Sequence, residues 1–263
     1  MTKHIRQFNP PGPLLRLVAL LVLALNLSAG AETKKSGKHL FILSGQSNMT
    51  GGLKTGFTKT VADTFGEEKV TVVHHSKSGR GIRFWDKDYA FPKNYRFPGK
   101  GVPSERSKQQ HGQEYGPLIE RVQEAFKGKQ YDTITFVWMQ GESDGGRGLG
   151  SVYEKSFLRL LGRMKTDLDR KDIGFVIGRI NDSSMSDPNW TAMREVQVKL
   201  AEDADHGAWI DTDDLSEPDD GVHFPKEKYP ILGQRFAKKA IELIRMRSAR
   251  KANEIQSREE ESK

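Results

Sequence analysis

Three side chains in this sequence have the chemistry that acyl transfer needs. Ser47, in Gly45-Gln46-Ser47-Asn48, offers a hydroxyl, and His223, in Asp220-Gly221-Val222-His223-Phe224, offers a base that titrates near neutrality. Asp220 offers a carboxylate that a turn at Gly221 could bring to one imidazole nitrogen, fixing the tautomer and stabilising the imidazolium. Asp219 is adjacent, and spacing alone does not choose between them. A developing oxyanion needs donors as well, and the candidates are the backbone N–H groups of Ser47 and Gly79 and the side-chain amide of Gln140. Glu142 and Asp144 follow Gln140 closely. They could form an acid pair for glycoside cleavage, but on one short loop they read better as groups that brace a site. Each piece alone has a plainer meaning: Ser47 as a turn or cap residue, Asp219 and Asp220 as caps ahead of the last helix.

What joins the pieces is the set of elements that would carry them. Short apolar runs at Leu40–Leu43, Val70–Val73, Thr133–Trp138, Ile173–Ile177 and Ala208–Ile210 suit strands buried on both faces. Between them, Pro117–Phe126, Tyr153–Leu168, Trp190–Leu200 and Tyr229–Ile244 place apolar residues at helical spacing. This alternation predicts an α/β fold with a central parallel sheet of about five strands and helices on both faces. In open sheets of that kind, ligands bind beyond the carboxyl ends of the strands. Gly45–Asn48, Ser76–Gly79, Met139–Asp144 and Asp211–His223 all follow strands, so they would share one edge. The stretch from Gly79 to Gln113 breaks the alternation. It is too long for a structureless loop in a compact domain, and its aromatic residues argue for an ordered functional insert.

Composition sets the outer limits. The chain has no cysteine, which excludes disulfides, thiol catalysis and cysteine-ligated metal. Residues 1–31 have the form of an export signal. Lys3, His4, Arg6 and Arg16 give a basic start, Leu17–Leu27 an apolar stretch short for a bilayer span, and Ala29-Gly30-Ala31 a small-x-small cleavage pattern. Cleavage after Ala31 would leave a secreted or periplasmic protein, of bacterial character given the absence of cysteine, without a stable membrane span. The organisation expected is a signal at 1–31, a polar spacer at 32–38, one domain at 39–247 and a charged, flexible tail at 248–263. The formal charge of +7 falls to about +4 without Lys3, Arg6 and Arg16, a modest excess that does not argue for nucleic acid.

Three segments together resemble a known family. Gly45-Gln46-Ser47-Asn48-Met49, Trp138-Met139-Gln140-Gly141-Glu142-Ser143-Asp144 and Asp220-Gly221-Val222-His223-Phe224 are similar to the sialate O-acetylesterase-like branch of the SGNH hydrolases, which includes the sixth carbohydrate esterase family. Tyr115-Gly116-Pro117 and Arg194-Glu195-Val196-Gln197 look like that family's helix entries. The resemblance implies a flavodoxin-like three-layer fold and hydrolysis of acetylated carbohydrate without metal or cofactor. Ser47 would be the nucleophile, His223 the base and Asp220 its partner, with Gln140 in the oxyanion role. The family often has adjacent glycines in its second block, whereas this chain reads Ser78-Gly79-Arg80-Gly81, which makes Gly81 a rival donor to Gly79. Gln46, Asn48, Glu142 and Asp144 would support the site.

In the insert, Arg80, Arg83 and Trp85 lie close in sequence to the glycine turn and are candidates for substrate contact, since aromatic faces stack on sugars and arginines pair with carboxylates or sulfates; the plainer reading makes the arginines surface charges and Trp85 a core residue. Two other classes compete with an esterase. One is a carbohydrate-binding protein without turnover, which would have no need of Ser47, His223 and Asp220 together. The other is a metal-dependent hydrolase using His74, His75 and the acidic residues of 211–220. Adjacent histidines on a strand point to opposite faces and rarely share a metal.

Overall fold

The computed structural model describes residues 37–216 and 221–261. The expected export signal, nearly all of the polar spacer, and Asp219 and Asp220 lie outside these residues. Strands form where apolar, β-branched or aromatic residues run together: β1 (His39–Gly45), β2 (Val70–Ser76), β3 (Thr133–Met139), β4 (Gly174–Gly178) and β5 (Gly207–Ile210). They make one all-parallel sheet in the order β2-β1-β3-β4-β5, the doubly wound arrangement of the flavodoxin type. All of β1 and β4 is buried, as a sheet covered on both faces requires. The helices are α1 (Gly51–Phe65), α2 (Glu105–Gln109), α3 (Tyr115–Phe126), α4 (Glu142–Gly145), α5 (Gly150–Asp167), α6 (Pro188–Glu202) and α7 (Lys228–Glu261).

The alternation of side chains along each strand divides the core in two. On one face Phe41, Leu43, Val137 and Val176 pack against Leu53 and Phe57 of α1 and Leu232 and Phe236 of α7. On the other, Leu40, Ile42, Phe136 and Ile177 meet Leu118 of α3, Phe157 and Leu160 of α5 and Met193 of α6. Helices α1 and α7 cross at glycines on both sides. A Cβ at Gly56 would lie 2.0 Å from the Pro230 carbonyl oxygen, and one at Gly233 would lie 2.0 Å from that of Leu53. Backbone therefore touches backbone there, which brings α7, and the segment that enters it, close to the turn after β1.

Two elements differ from the sequence reading. Helix α1 was not expected, because Gly51, Gly52 and Gly56 blur its period. Its buried residues Leu53, Phe57 and Val61 nevertheless recur every fourth position, and Thr50 caps it by accepting a hydrogen bond from the Leu53 N–H at 3.2 Å. The stretch from 248, expected to be a flexible tail, is instead the continuation of α7 to Glu261, with residues 248–260 exposed. Its Ala, Arg, Lys, Glu and Gln are strong helix formers, so the helix outruns the core it covers. Among the described residues no helix is long and apolar enough to cross a membrane.

The insert is ordered by its own aromatics. Phe91 stacks on Tyr95 with ring centroids 5.3 Å apart, and both meet Phe97 edge-on. Trp85 does not serve as a sugar platform. It is fully enclosed, packed edge-to-face on Trp138 at 5.2 Å, and so belongs to the core. The neighbouring Asp86 is also buried and accepts hydrogen bonds from Arg159 Nε and Nη2. This pair pins the start of the insert to α5.

Candidate active site

Strand β1 ends in a tight exit. Gly45 has φ +148°, and a Cβ on it would fall 1.9 Å from the Met139 carbonyl oxygen. That carbonyl accepts instead from the Gln46 N–H at 2.9 Å, and the Met49 N–H closes a turn onto the Gln46 carbonyl at 3.0 Å. Ser47 stands on this turn, half-buried, between the strand and α1. His223 arrives from the other end of the chain, exposed, with its Nε2 2.9 Å from Ser47 Oγ. With Nε2 unprotonated the hydroxyl donates, which is the geometry for proton removal by a base.

The contact is held by the backbone that precedes His223. Asn181 Nδ2 donates to the Gly221 carbonyl at 3.0 Å, and Asn48 Nδ2 donates to the Val222 carbonyl at 2.8 Å. Asn48 also donates to Glu142 Oε1 at 2.6 Å and accepts from the Tyr229 hydroxyl at 3.0 Å. One buried amide beside the serine thus ties together the turn after β1, the helix α4, the loop bearing His223 and the start of α7. Glu142 is itself buried. Loss of hydration pushes its carboxyl from 4.5 up to about 7, against the opposing effect of hydrogen bonds including that from Asn48. Its Oε2 has no hydrogen-bond partner among the described residues.

Gln140 and Asp144 form a second buried knot. Gln140 Nε2 lies 2.6 Å from Asp144 Oδ2 and 3.1 Å from Gln46 Oε1, so both its protons have acceptors. The sequence reading made this amide an open donor to an oxyanion, whereas here it faces inward. The cause is local: the chain reverses at Gly141 into α4, which carries Asp144 back over the amide. Asp144 Oδ2 further accepts from the Ile82 N–H at 2.8 Å, and Gln46 Oε1 from the Ser143 N–H at 3.1 Å. Burial raises the Asp144 carboxyl above its ordinary value. The Gln140 carbonyl is equally fixed, accepting from Tyr153 Oη at 2.6 Å and Gln197 Nε2 at 2.9 Å. The knot therefore sets the position of the glycine turn relative to Ser47. The N–H groups of Ser47, Gly79 and Gly81 make no hydrogen bond among the described residues, which leaves them as donors.

Asn181, Tyr153 and Tyr229 escaped the sequence reading. Asn181 stands just beyond β4, at the carboxyl edge that also carries the exits of β1 and β3. The two tyrosines lie on helices and carried no such signal. His74 and His75, at the opposite edge of the sheet from β5, are separately engaged: His74 Nε2 lies 3.0 Å from the Met49 carbonyl oxygen and His75 Nε2 3.0 Å from Glu114 Oε2. Among the described residues they form no metal-binding cluster with the acidic residues that follow β5.

Residues 52–242 match the family model described as carbohydrate esterase, sialic acid-specific acetylesterase, a match that begins five residues after Ser47. Among curated proteins no sequence matches the chain. Among solved structures, a protein from Arabidopsis thaliana is similar at 16% identity and TM-score 0.59, covering 78% of this chain and 98% of that one. A carbohydrate acetylesterase from Xanthomonas citri is similar at 15% identity and TM-score 0.57, covering 75% of this chain and 55% of that one. A carbohydrate esterase family 3 protein from Talaromyces cellulolyticus aligns at 15% identity and TM-score 0.51, over 78% and 98%. At these identities the structures show a shared fold.

Proposed function

The chain belongs to the carbohydrate esterase, sialic acid-specific acetylesterase family, and from that premise we propose that it is an exported serine esterase removing O-acetyl groups from carbohydrate, of polysaccharide or sialic-acid type. The observation that carries the mechanism is the 2.9 Å approach of His223 Nε2 to Ser47 Oγ at the carboxyl edge of the sheet. In this reading Ser47 Oγ attacks the acetyl carbonyl carbon while His223 takes its proton. The resulting oxyanion is met by the N–H groups of Ser47 and of Gly79 or Gly81. Collapse breaks the bond to the sugar oxygen, which receives the proton from His223 and leaves as the free alcohol. Water, deprotonated by His223, then attacks the acetyl-Ser47 ester, and acetate departs with the serine hydroxyl restored.

Asp220, the partner that the family resemblance implies, is proposed as the carboxylate that orients His223. Gln140 acts in this account as a positioning residue, holding the glycine turn through Asp144 and Gln46. Export rests on the pattern of residues 1–31, and N-terminal sequencing of the mature protein tests it, with Glu32 expected as the first residue. The esterase reading is tested by acetate release from acetylated xylan, pectin-type and sialic-acid substrates. Ser47→Ala is expected to lower kcat by about 10⁴–10⁶-fold, and wild-type rates in that variant would refute the mechanism.

A further inference from the structure

Beside the site the insert encloses a cleft of about 760 Å³, within the size range of small-ligand sites. Among the described residues five cations line it, Arg80, Arg83, Lys100, Arg106 and Arg147, and the one carboxylate in its lining is Asp144. That carboxylate is already engaged by Ile82 and Gln140. The arginines are held mainly by neutral groups. Arg83 donates to the Ser107 carbonyl at 2.8 Å and Gln110 Oε1 at 3.3 Å, and Arg147 donates to the Ser143 carbonyl at 2.5 Å. Arg80 and Arg83 lie over the same Phe84 ring, 4.3 and 3.9 Å from its centroid. Arg80 Nε stands 3.9 Å from Glu114 Oε1, whereas Arg83, Lys100, Arg106 and Arg147 have no carboxylate within ion-pair distance among the described residues. Burial lowers the Arg83 guanidinium from its ordinary value, against the opposing effect of the Asp144 carboxylate.

Five cations against one carboxylate in the wall and Glu114 beside Arg80 leave an excess of positive charge, which strengthens the attraction of an anion. The cleft also adjoins the reacting centre. Gly79, Gly81 and Ser143 are in its walls, and the Ser143 N–H is bonded to Gln46, the residue before Ser47. A carbohydrate whose acetyl group reached Ser47 would lay its adjoining sugar surface along the insert.

Resting on the esterase reading above, we propose that this cleft is an anion subsite and that the preferred substrate is an acetylated glycan carrying a carboxylate or sulfate group next to the acetylated position. Arg83 and Arg147, fixed by neutral acceptors, present pre-oriented guanidinium groups to that anion. Lys100 and Arg106, both exposed at the cleft, draw it in.

The test compares kcat/KM on matched acetylated oligosaccharides that are neutral, uronate-containing or sulfated, with p-nitrophenyl acetate as a neutral ester. The wild type is expected to favour a charged glycan over the neutral one, with a preference that declines as salt rises. The double variant Lys100→Gln/Arg106→Gln is expected to lower the charged-to-neutral ratio about tenfold, chiefly through KM. Arg83→Gln is a second route to the same loss. The ranking of uronate against sulfate identifies the anion. Equal ratios in wild type and both variants, or equal salt dependence for charged and neutral substrates, would overturn the subsite alone. Absence of turnover on every substrate, p-nitrophenyl acetate included, would overturn the esterase reading and the subsite with it.

Discussion

Replacing Glu142 with Gln should make the protein more stable at pH 8 while leaving it nearly unchanged at pH 4.5. Glu142 is buried, bonded through Oε1 to Asn48 Nδ2 at 2.6 Å, and without a partner at Oε2 among the described residues. Burial raises its carboxyl from 4.5 to about 7, so the folded state keeps this proton in a range where the unfolded chain has released it. The sign follows from linkage. Below pH 4.5 both states are protonated and the group contributes no pH dependence; between 4.5 and 7 the folded state binds more protons, and stability falls as pH rises; above 7 the loss is complete. At about 1.4 kcal/mol for each tenfold change in proton affinity, the full loss is about 3 kcal/mol. Gln mimics the protonated acid, since its oxygen can accept from Asn48 and its amide occupies the place of the protonated Oε2. Urea denaturation of both proteins at steps from pH 4.5 to 8 measures the difference, which is expected to open through the interval and level off. Asp144, also raised by burial, adds a slope of the same sign in both proteins. A stability difference that stays flat with pH would refute the reasoning.

Other perturbations probe the scaffold around the serine. Asn48→Ala removes the donor to Val222 and Glu142 and should cost about 2–5 kcal/mol of stability, read from urea unfolding. It should also lower kcat about 10²-fold with little change in KM, because the loop bearing His223 loses an anchor; a kcat equal to wild type would exclude that anchoring role. Gly233→Ala should destabilise the fold by about 3 kcal/mol, visible as a lower Tm, because its Cβ would lie 2.0 Å from the Leu53 carbonyl oxygen.

Much of this architecture was legible because strand and helix periods differ and because parallel strands are buried on both faces. The five apolar runs gave the five strands to within a few residues, and the polar residues after them marked one edge of the sheet. Ser47 and His223 were named from types and position, and the structure brings them to 2.9 Å. Less legible was anything decided by tertiary contact. Trp85 was open to two readings, a sugar platform near the glycine turn or a core residue, and the structure decides for the core: the Arg159–Asp86 pair draws that stretch onto α5. The inward turn of Gln140 depends on Asp144 folding back through Gly141, four residues later in sequence and 2.6 Å away in space. Helix α1 was hidden because its glycines serve a close crossing with α7 instead of an apolar stripe.

The central claim, that Ser47 is a nucleophile activated by His223, is tested most directly by covalent trapping. Incubation with a serine-directed alkyl phosphonate, followed by intact mass and peptide mapping, should show one adduct on Ser47. Trapping in His223→Ala should be slower by about 10²–10⁴-fold. Labelling at another residue, or acetyl-ester turnover that continues with Ser47 unmodified, would contradict the account.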